Sequence, residues 1–598
     1  MPFKIGVTTG LYTIARGEEL ATAVRKIGYA LTRGASAIEI AMDAPHEITE
    51  TEGEEIRYIA KKQGIDILLH GSLTIPMCIP ERSEWRDAHD HIQKSIRSAV
   101  YCGAKYVNFH ASLNVWLELM TYAGRKVTMA FCDHEGRFIS HILAECEDLR
   151  EWFVNERWSE YAIDVLTPEE RQQISAKVTI ERGEYWLRQQ IEDARKRIEK
   201  KYEPLLEEAK KSGDVNRINQ LVSEMKKEIS DAEKRLHERV SIENAQLYEK
   251  YSKDAIRKKL KEKGKWESED LRAIVGVIDG YHIMTRYLFY TRDPIWIEME
   301  KLYRDVLNKY NYDPKNKKWL DEAWEKAEEE NDRKFKEFYY GVAAAKFLEG
   351  HIKKALEWME NDLIKKELKG KPELIDIAKN LQIVIESPDA RDPTHAGLYL
   401  LWEPRQIYVA IKVIRKVLKT NRVWMLIDFE HIATQGLDPI KELEKISKEI
   451  DDFGELTLAC HSNAPNPSHA HLPLELGDVR IYKLLYYLRK TGLGRNKSVY
   501  LIYERGGGDD PFKQSVEVLR LCVKYLELDV KPEDLPLEFF GVKGEVAGDI
   551  IRQSQIIREH AFEPLKDLLE MPEEEWGLFS STAVKKGRGE VWKKEKWR

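Results

Sequence analysis

The sequence predicts an α/β fold, a (β/α)₈ (TIM) barrel that is interrupted after its fourth strand by a large α-helical insertion. Eight short runs are rich in β-branched and aromatic residues. Each run is followed by an interval of chain, and seven of these eight intervals fit a helix. Most of these runs are almost continuously apolar, as expected for parallel strands that are buried on both faces. Repeated strand–helix alternation is typical of such barrels. The alternative is a doubly wound open sheet, but no Gly-rich phosphate loop follows the first run.

The predicted strands and helices alternate along the chain. The strands are FKIGVTTG (3–10), AIEIAMD (37–43), IDILLHGS (65–72), YVNFHAS (106–112), QIVIESPD (382–389), VWMLIDFEH (423–431), LTLACHSN (456–463) and SVYLIYERG (498–506). The amphipathic stretches that predict helices are 18–33, 49–63, 84–102, 402–419, 438–452, 477–492 and 511–525. We therefore expect the barrel to be built from two separated parts of the chain.

The interval between the fourth and fifth runs is long enough for a domain. The predicted division is a first barrel half at 1–112, the helical insertion at 113–375, a second barrel half at 376–527 and a C-terminal extension at 528–598. Within the insertion, an antiparallel coiled-coil hairpin is predicted at about 181–262, because the apolar residues there follow heptad spacing. Those residues are Leu187, Ile191, Ala194, Ile198 and Leu205 before the turn, and Ile218, Val222, Met225, Ile229, Ala232 and Leu236 after it.

Composition excludes several classes of protein. The chain has 598 residues, of which 42% are apolar, which is enough for a sizeable core and excludes a disordered protein. The 96 basic and 103 acidic residues give a net charge of −7, which argues against coating nucleic acid by bulk charge. No apolar run approaches the ~18–20 residues of a membrane span. The N-terminus lacks the pattern of a signal peptide, and the six cysteines form no CxxC pair, so we expect a cytoplasmic protein without membrane partners.

Two features of the chain suggest contacts with partners. The hairpin is either a solvated helical surface or an arm that docks a protein partner or forms a dimer. The last 14 residues, KKGRGEVWKKEKWR, carry seven basic and two acidic side chains and two tryptophans. Basic residues interleaved with aromatics can bind phosphates and stack on bases, although a solvated terminus explains the same pattern.

Residues of the metal-ligand type end six successive predicted strands. They are His70, His110, Glu386, Asp428, His461 and Glu504. Because the C-terminal ends of barrel strands meet on one face, these side chains are expected to lie together. Crowded carboxylates repel one another unless a cation lies between them, and mixed imidazole and carboxylate sets suit zinc or manganese.

Three further histidines follow these strand ends: His431, His469 and His471. Any one such residue could be explained as a capping or core-edge residue, but nine candidate ligands exceed what one ion can use. The sequence therefore predicts a metal site with more than one ion. Near the same face, Arg505 is the candidate phosphate contact, and His395 and Asn463 are further candidates for substrate binding.

The motifs LLHGS, NFHAS, VIESPD, LIDFEHI, ACHSN, HAHLPLELGD and LIYERG, in this order, resemble the endonuclease IV family (AP endonuclease family 2) of the xylose isomerase-like TIM barrel superfamily. The resemblance covers residues 1–112 and about 376–527. It implies three metal ions, held first by His70, His110 and Glu386, second by Glu386, Asp428, His461 and Glu504, and third by His431, His469 and His471. The family has an aspartate where this chain has His469.

The resemblance also implies an activity, in which metal-activated water cleaves DNA on the 5′ side of an abasic site during DNA repair. Glu386, Asp428 and Glu504 would be the catalytic residues, with two or three Zn²⁺ ions and Mn²⁺ as the alternative. Another phosphate ester is an alternative substrate. A sugar isomerase or epimerase of the same superfamily would need one ion on Glu386, Asp428, His461 and Glu504. A non-catalytic scaffold that works through the coiled-coil arm is the third hypothesis.

Overall fold

A computed structural model of the chain describes residues 2–8, 27, 30–31, 34–41, 47–72, 75, 77–111, 132–261, 277–390, 401–468, 471–504 and 511–542. Most of the predicted helix at 18–33 and the basic C-terminal segment lie outside these residues. The chain divides into two compact units. One is Phe138–Ala273, and the other combines Met1–Arg137 with Ile274–Arg598. The predicted bounds of the insertion and of the C-terminal extension stay predictions.

Eight parallel strands close into a barrel in the order β1 to β8, as the alternation of the sequence predicts. The strands are β1 (Phe3–Thr8), β2 (Ala37–Ala41), β3 (Asp66–His70), β4 (Tyr106–His110), β5 (Gln382–Glu386), β6 (Val423–Asp428), β7 (Thr457–His461) and β8 (Val499–Tyr503). The barrel closes where β8 pairs with β1. Although they are distant in sequence, β4 and β5 pair over their whole length, so that His110 lies opposite Glu386.

The described helices are numbered α1 to α19 in chain order. Before β5 they are α1 (Glu50–Gln63), α2 (Arg82–Cys102), α3 (Ser140–Glu145), α4 (Glu147–Val165), α5 (Pro168–Arg182), α6 (Glu184–Ser212), α7 (Val215–Lys261), α8 (Val277–Thr291), α9 (Pro294–Leu302), α10 (Arg304–Asn308), α11 (Trp319–Glu329), α12 (Arg333–Trp358) and α13 (Pro372–Asn380). After β5 they are α14 (Pro404–Val417), α15 (Phe429–Thr434), α16 (Pro439–Glu449), α17 (Phe453–Leu456), α18 (Val479–Lys490) and α19 (Pro511–Glu527). A π-helical segment, Met359–Glu367, continues α12.

Apolar residues from most of the strands fill the interior of the barrel. The inward cluster is formed by residues from seven of the strands: Ala37, Leu68, Tyr106, Val384, Leu426, Leu458, Ala459, Tyr500 and Ile502. Because side chains alternate across a strand, residues two positions further along share the same face. The inward face therefore continues from this apolar layer to the C-terminal ends of the strands, where the predicted ligands lie.

In the unit Phe138–Ala273, α6 and α7 pack against each other around Tyr202, Ala209 and Leu221. Glu228 of α7 accepts hydrogen bonds from Lys201 Nζ at 2.8 Å and from Tyr202 Oη at 2.9 Å. The predicted place of Leu205 in the apolar seam is wrong, because this side chain is 43% exposed and its neighbour Leu206 packs on the cluster instead. The coiled-coil geometry of the hairpin stays a prediction.

The helices α8 to α12, in the barrel-containing unit, carry an aromatic core of their own. Trp296, Phe335 and Phe338 are fully buried there. Beside them, Tyr303 Oη donates to the buried Glu337 carboxylate at 2.5 Å. Burial raises the pKa of Glu337 to about 7, although the Tyr303 hydrogen bond acts in the opposite direction.

All six cysteines are buried and unpaired, so no disulfide links the chain. Among the helices that the structure describes, none has the length and apolar character needed to cross a bilayer.

Replacing Gly53 of α1 with alanine is expected to destabilise the fold. Alanine normally favours a helix over glycine by about 1 kcal/mol. Here a Cβ would lie 2.3 Å from the Tyr101 carbonyl oxygen of α2. Overpacking of this kind destabilises by about 1–3 kcal/mol, so Gly53→Ala should lower the melting temperature. Glu54→Ala, on the exposed face of the same helix, is the control, and an equal melting temperature for both variants would contradict this packing argument.

Replacing Glu337 with glutamine is expected to make stability less dependent on pH. An unfolded glutamate releases its proton near pH 4.5, whereas folded Glu337 holds its proton up to about pH 7. Native stability therefore falls as the pH rises through this window, by about 3 kcal/mol at most. Glu337→Gln removes that loss, so its melting temperature should exceed the wild-type value at pH 8 and match it at pH 4.5. The same difference at both pH values would contradict the raised pKa.

Candidate metal centre

The inward faces of the strands bring the predicted ligands to one end of the barrel. On β4 the side chains of Tyr106, Asn108 and His110 share a face, because they are two positions apart. The same spacing connects Val384 of the inward cluster with Glu386 on β5. The final inward residue of β3, β4, β5, β6 and β7 is in each case a histidine, an aspartate or a glutamate. The strand-end criterion therefore selects residues that share one face.

The buried carboxylate of Glu386 lies at the centre of four imidazole rings. Its Oε2 is 3.4 Å from His70 Nε2 and 3.4 Å from His110 Nε2. Its Oε1 is 2.9 Å from His461 Nδ1 and 3.3 Å from His431 Nδ1. Each oxygen of this single carboxylate thus faces a separate pair of histidines.

Asp428 connects the barrel to the short helix α15. Its Oδ1 accepts hydrogen bonds from the backbone N–H groups of Glu430 at 2.6 Å and His431 at 2.9 Å, which caps the helix. Its Oδ2 is buried and has no hydrogen-bond partner among the described residues. That oxygen lies 3.3 Å from His461 Nδ1, and Glu504 Oε1 lies 3.5 Å from the same nitrogen.

The described residues form three groups with ligand atoms close enough for one ion: His70, His110 and Glu386; Glu386, Asp428 and His461; and Glu39, His461 and Glu504. Two ligand atoms about 2.1 Å from one tetrahedral cation lie about 3.4 Å apart, close to several of the distances above. The donor set and the unpartnered Asp428 Oδ2 therefore fit divalent cations. Glu386 belongs to two of the groups, so it can join two ions.

When no ion is bound, the imidazoles and carboxylates of the centre set one another's charge. Burial opposes protonation of His70, but the hydrogen bond to Glu386 and the nearby Glu39 raise its pKa to about 9. Burial would also raise the pKa of Glu386, yet His461, His110 and His431 hold it well below its usual value. The pKa of His110 is instead lowered, mainly by burial.

The same balance holds on the other side of Glu386. The pKa of His461 lies well above its usual value in spite of burial, because Glu386, Glu504 and Glu39 stabilise the imidazolium. The pKa of Asp428 is lowered, since His431 and His461 outweigh the effect of burial. Imidazolium protons thus supply the positive charge that the crowded carboxylates need, and bound cations would displace them.

His471 lies at the edge of the centre in a left-handed backbone conformation, with φ of 47°. Its Nδ1 is 2.6 Å from Glu430 Oε2 and 3.7 Å from Glu504 Oε2. Burial opposes protonation here too, but Glu430 raises the pKa of His471 to about 9. His469 lies outside the described residues. Within those residues, no group of three ligand-type side chains contains both His431 and His471.

Asn463 links the ends of β7 and β8. Its Nδ2 donates to the Glu504 carbonyl oxygen at 3.2 Å, and its Oδ1 accepts from the Glu504 N–H at 2.8 Å. The side chain is fully buried. It therefore holds the backbone of Glu504, while its predicted contact with substrate stays a prediction. The other two predicted substrate contacts, Arg505 and His395, lie outside the described residues.

Within the part of the chain that the structure describes, two carboxylates of the centre are absent from the set predicted from the sequence. Glu39 of β2 is fully buried, and its Oε1 lies 2.9 Å from His461 Nε2. Glu430 of α15 is fully buried against His471. Glu39 had a signal in the sequence, since a single charge inside the apolar run AIEIA must find a buried partner. Glu430 had none, because its direction depends on how α15 turns after Asp428.

Comparison with known proteins supports the fold and leaves the reaction open. Residues 27–130 match the family model described as Xylose isomerase-like TIM barrel. This segment includes β2, β3 and β4, and with them Glu39, His70 and His110. No curated protein matches the sequence. The family match and the closed eight-stranded barrel agree, so over residues 27–130 the chain is similar to the xylose isomerase-like TIM barrel superfamily.

Proposed function

We propose that this protein is a metal-dependent hydrolase of phosphate esters that uses at least two divalent cations. One observation carries the proposal: the two oxygens of buried Glu386 face two separate pairs of histidines. A carboxylate in this position can bridge two ions, and paired ions are typical of enzymes that cleave phosphate esters. A reaction that needs one ion has no use for the histidine pair on Oε2.

In this proposal His70, His110 and Glu386 hold the first ion, and Glu386, Asp428 and His461 hold the second. When bound, such ions supply activated water near neutral pH and neutralise charge on the phosphate. Glu504 lies on the solvent side of the centre, since its side chain is 16% exposed whereas that of Asp428 is fully buried. We therefore assign Glu504 to contact substrate and to move a proton between substrate and solvent.

The resemblance of the motifs to endonuclease IV extends the proposal to a specific substrate, DNA that contains an abasic site. On the same resemblance we propose that the metal is zinc and that a third ion binds near His431, His469 and His471. Arg505 would contact the phosphate in that case.

A one-ion sugar isomerase or epimerase is the second candidate. His461 Nδ1 lies within 3.5 Å of carboxylate oxygens from Glu386, Asp428 and Glu504. A single Mn²⁺ ion among these four residues would suit proton transfer between adjacent carbons of a sugar. In this second function, His70 and His110 would hold no ion.

Metal content distinguishes the two candidates. Protein purified without chelator is expected to contain two or three ions per chain by elemental analysis. His110→Ala should lose one ion, because it removes a ligand from the Oε2 side only. Glu386→Gln should lose more than one, since it removes the carboxylate shared by two groups. The matched control is Glu337→Gln, a buried glutamate outside the centre that also accepts from a tyrosine.

One ion per chain, unchanged in His110→Ala, would contradict the hydrolase proposal and favour the isomerase. No ion, even after reconstitution with zinc or manganese, would favour the scaffold hypothesis. Near-ultraviolet circular dichroism on each variant separates loss of ligand from loss of fold.

Activity is expected on an activated phosphodiester such as bis(p-nitrophenyl) phosphate, and on duplex DNA with one abasic site. Glu386→Gln and Glu504→Gln should each lower the turnover number by about 100-fold or more, because the loss of partners of a bound metal already lowers activity 10–100-fold. Chelation should abolish activity, and added Zn²⁺ or Mn²⁺ should restore it. Release of p-nitrophenol and strand cleavage on a gel are the measurements. Conversion of ketose or aldose sugars, without cleavage of either phosphate substrate, would contradict this proposal.

A further inference from the structure

We infer that Glu39 is a positioning residue for the metal centre, which selects one tautomer of His461 and fixes the orientation of its ring. The inference rests on the proposed metal-dependent function. Glu39 lies in the middle of β2, which the strand-end pattern does not include, and it is fully buried.

The two nitrogens of His461 face different surroundings. Nδ1 lies 2.9 Å from Glu386 Oε1, 3.3 Å from Asp428 Oδ2 and 3.5 Å from Glu504 Oε1. Nε2 lies 2.9 Å from Glu39 Oε1. A neutral imidazole carries one N–H, and an ionised carboxylate can only accept. With Glu39 ionised, the proton of neutral His461 therefore belongs on Nε2, and the Nδ1 lone pair points to the carboxylates of Glu386 and Asp428, which would share an ion with it.

Glu39 is itself held in place. The hydroxyl of Tyr106 donates to its second oxygen, Oε2. The Tyr106 ring packs edge-on against Tyr500 of β8, with ring centroids 5.6 Å apart. Both carboxylate oxygens thus have partners, and β4, β2 and β7 are linked through the interior by the chain of contacts Tyr106–Glu39–His461. Through these contacts, residues in the core of the barrel fix the orientation of the His461 ring at the mouth.

Such an arrangement has a defined physical effect. A carboxylate behind a metal-binding histidine fixes the ring and makes its other nitrogen a better donor, and loss of such a partner typically weakens metal binding 10–100-fold. The alternative role for Glu39 is as a direct ligand, because Glu39, His461 and Glu504 also form a group of sufficient proximity. We favour positioning because, among the residues that the structure describes, Glu39 alone presents a carboxylate to Nε2, whereas three carboxylates face Nδ1.

The test compares the wild type with Glu39→Gln, Tyr106→Phe and the control Glu337→Gln. Zn²⁺ affinity is measured by competition with a chromophoric chelator, and the number of ions at saturation by elemental analysis. Glu39→Gln should lower the affinity for one Zn²⁺ ion by about 10–100-fold. The number of ions bound at saturation should stay the same. Tyr106→Phe should act in the same direction with a smaller effect. Glu337→Gln removes a buried carboxylate bonded to a tyrosine elsewhere and should leave the affinity unchanged.

The visible absorption of the Co²⁺-loaded protein provides a readout that a merely structural role would not change. Its bands should shift in Glu39→Gln and not in Glu337→Gln. Affinity and spectrum equal to the wild type in Glu39→Gln would overturn the inference, and so would the loss of an ion at saturation, which would make Glu39 a ligand. If Glu39→Gln does not fold, an unchanged affinity in Tyr106→Phe overturns it. If the wild type and Glu337→Gln bind no ion, the proposed function itself fails.

Discussion

The Glu386 carboxylate is the constraint on which the mouth of the barrel depends. It is fully buried, and an isolated ion in that position would be strongly unfavourable. Its stabilisation comes from imidazoles on β3, β4 and β7 and at the start of α15. These elements reach it only when four separate strands close in register, so formation of the centre and closure of the barrel are one requirement. A change in the register of these strands would therefore also change the contacts of Glu386.

The sequence predicts the eight strands well, because burial on both faces leaves runs that are visible without any tertiary information. It also predicts that the histidines and carboxylates at the strand ends lie together, since the C-terminal strand ends of a barrel face one mouth. Glu39 escapes this criterion because it lies inside its strand, where only the register shows that its side chain reaches β7. The prediction that Leu205 lies in the apolar seam is wrong for another reason. After Ile198 the buried positions proceed to Tyr202, Leu206 and Ala209, so a step of four residues replaces a step of three and the seam moves by one residue.

Electrostatic balance explains how such a centre can exist with or without ions. Among the described residues, five carboxylates and five imidazoles meet there: Glu39, Glu386, Asp428, Glu430 and Glu504 with His70, His110, His431, His461 and His471. With no cation bound, protons on His70, His431, His461 and His471, whose pKa values are raised, compensate the carboxylates. A divalent cation that displaces two such protons leaves the total charge unchanged. Binding of a cation would therefore exchange one kind of positive charge for another.

The pairing of β4 with β5 has a consequence for synthesis of the chain. Asn108 and Glu386, which lie in contact across these two strands, are 278 residues apart in sequence. At the usual speed of translation, β5 leaves the ribosome roughly 15–55 s after β4. During that interval the first four strands form at most half a barrel, and the side of β4 that later pairs with β5 has no partner strand. An unpaired strand edge is a template for aggregation. We therefore expect a chaperone to bind the nascent chain before the second half of the barrel has been synthesised.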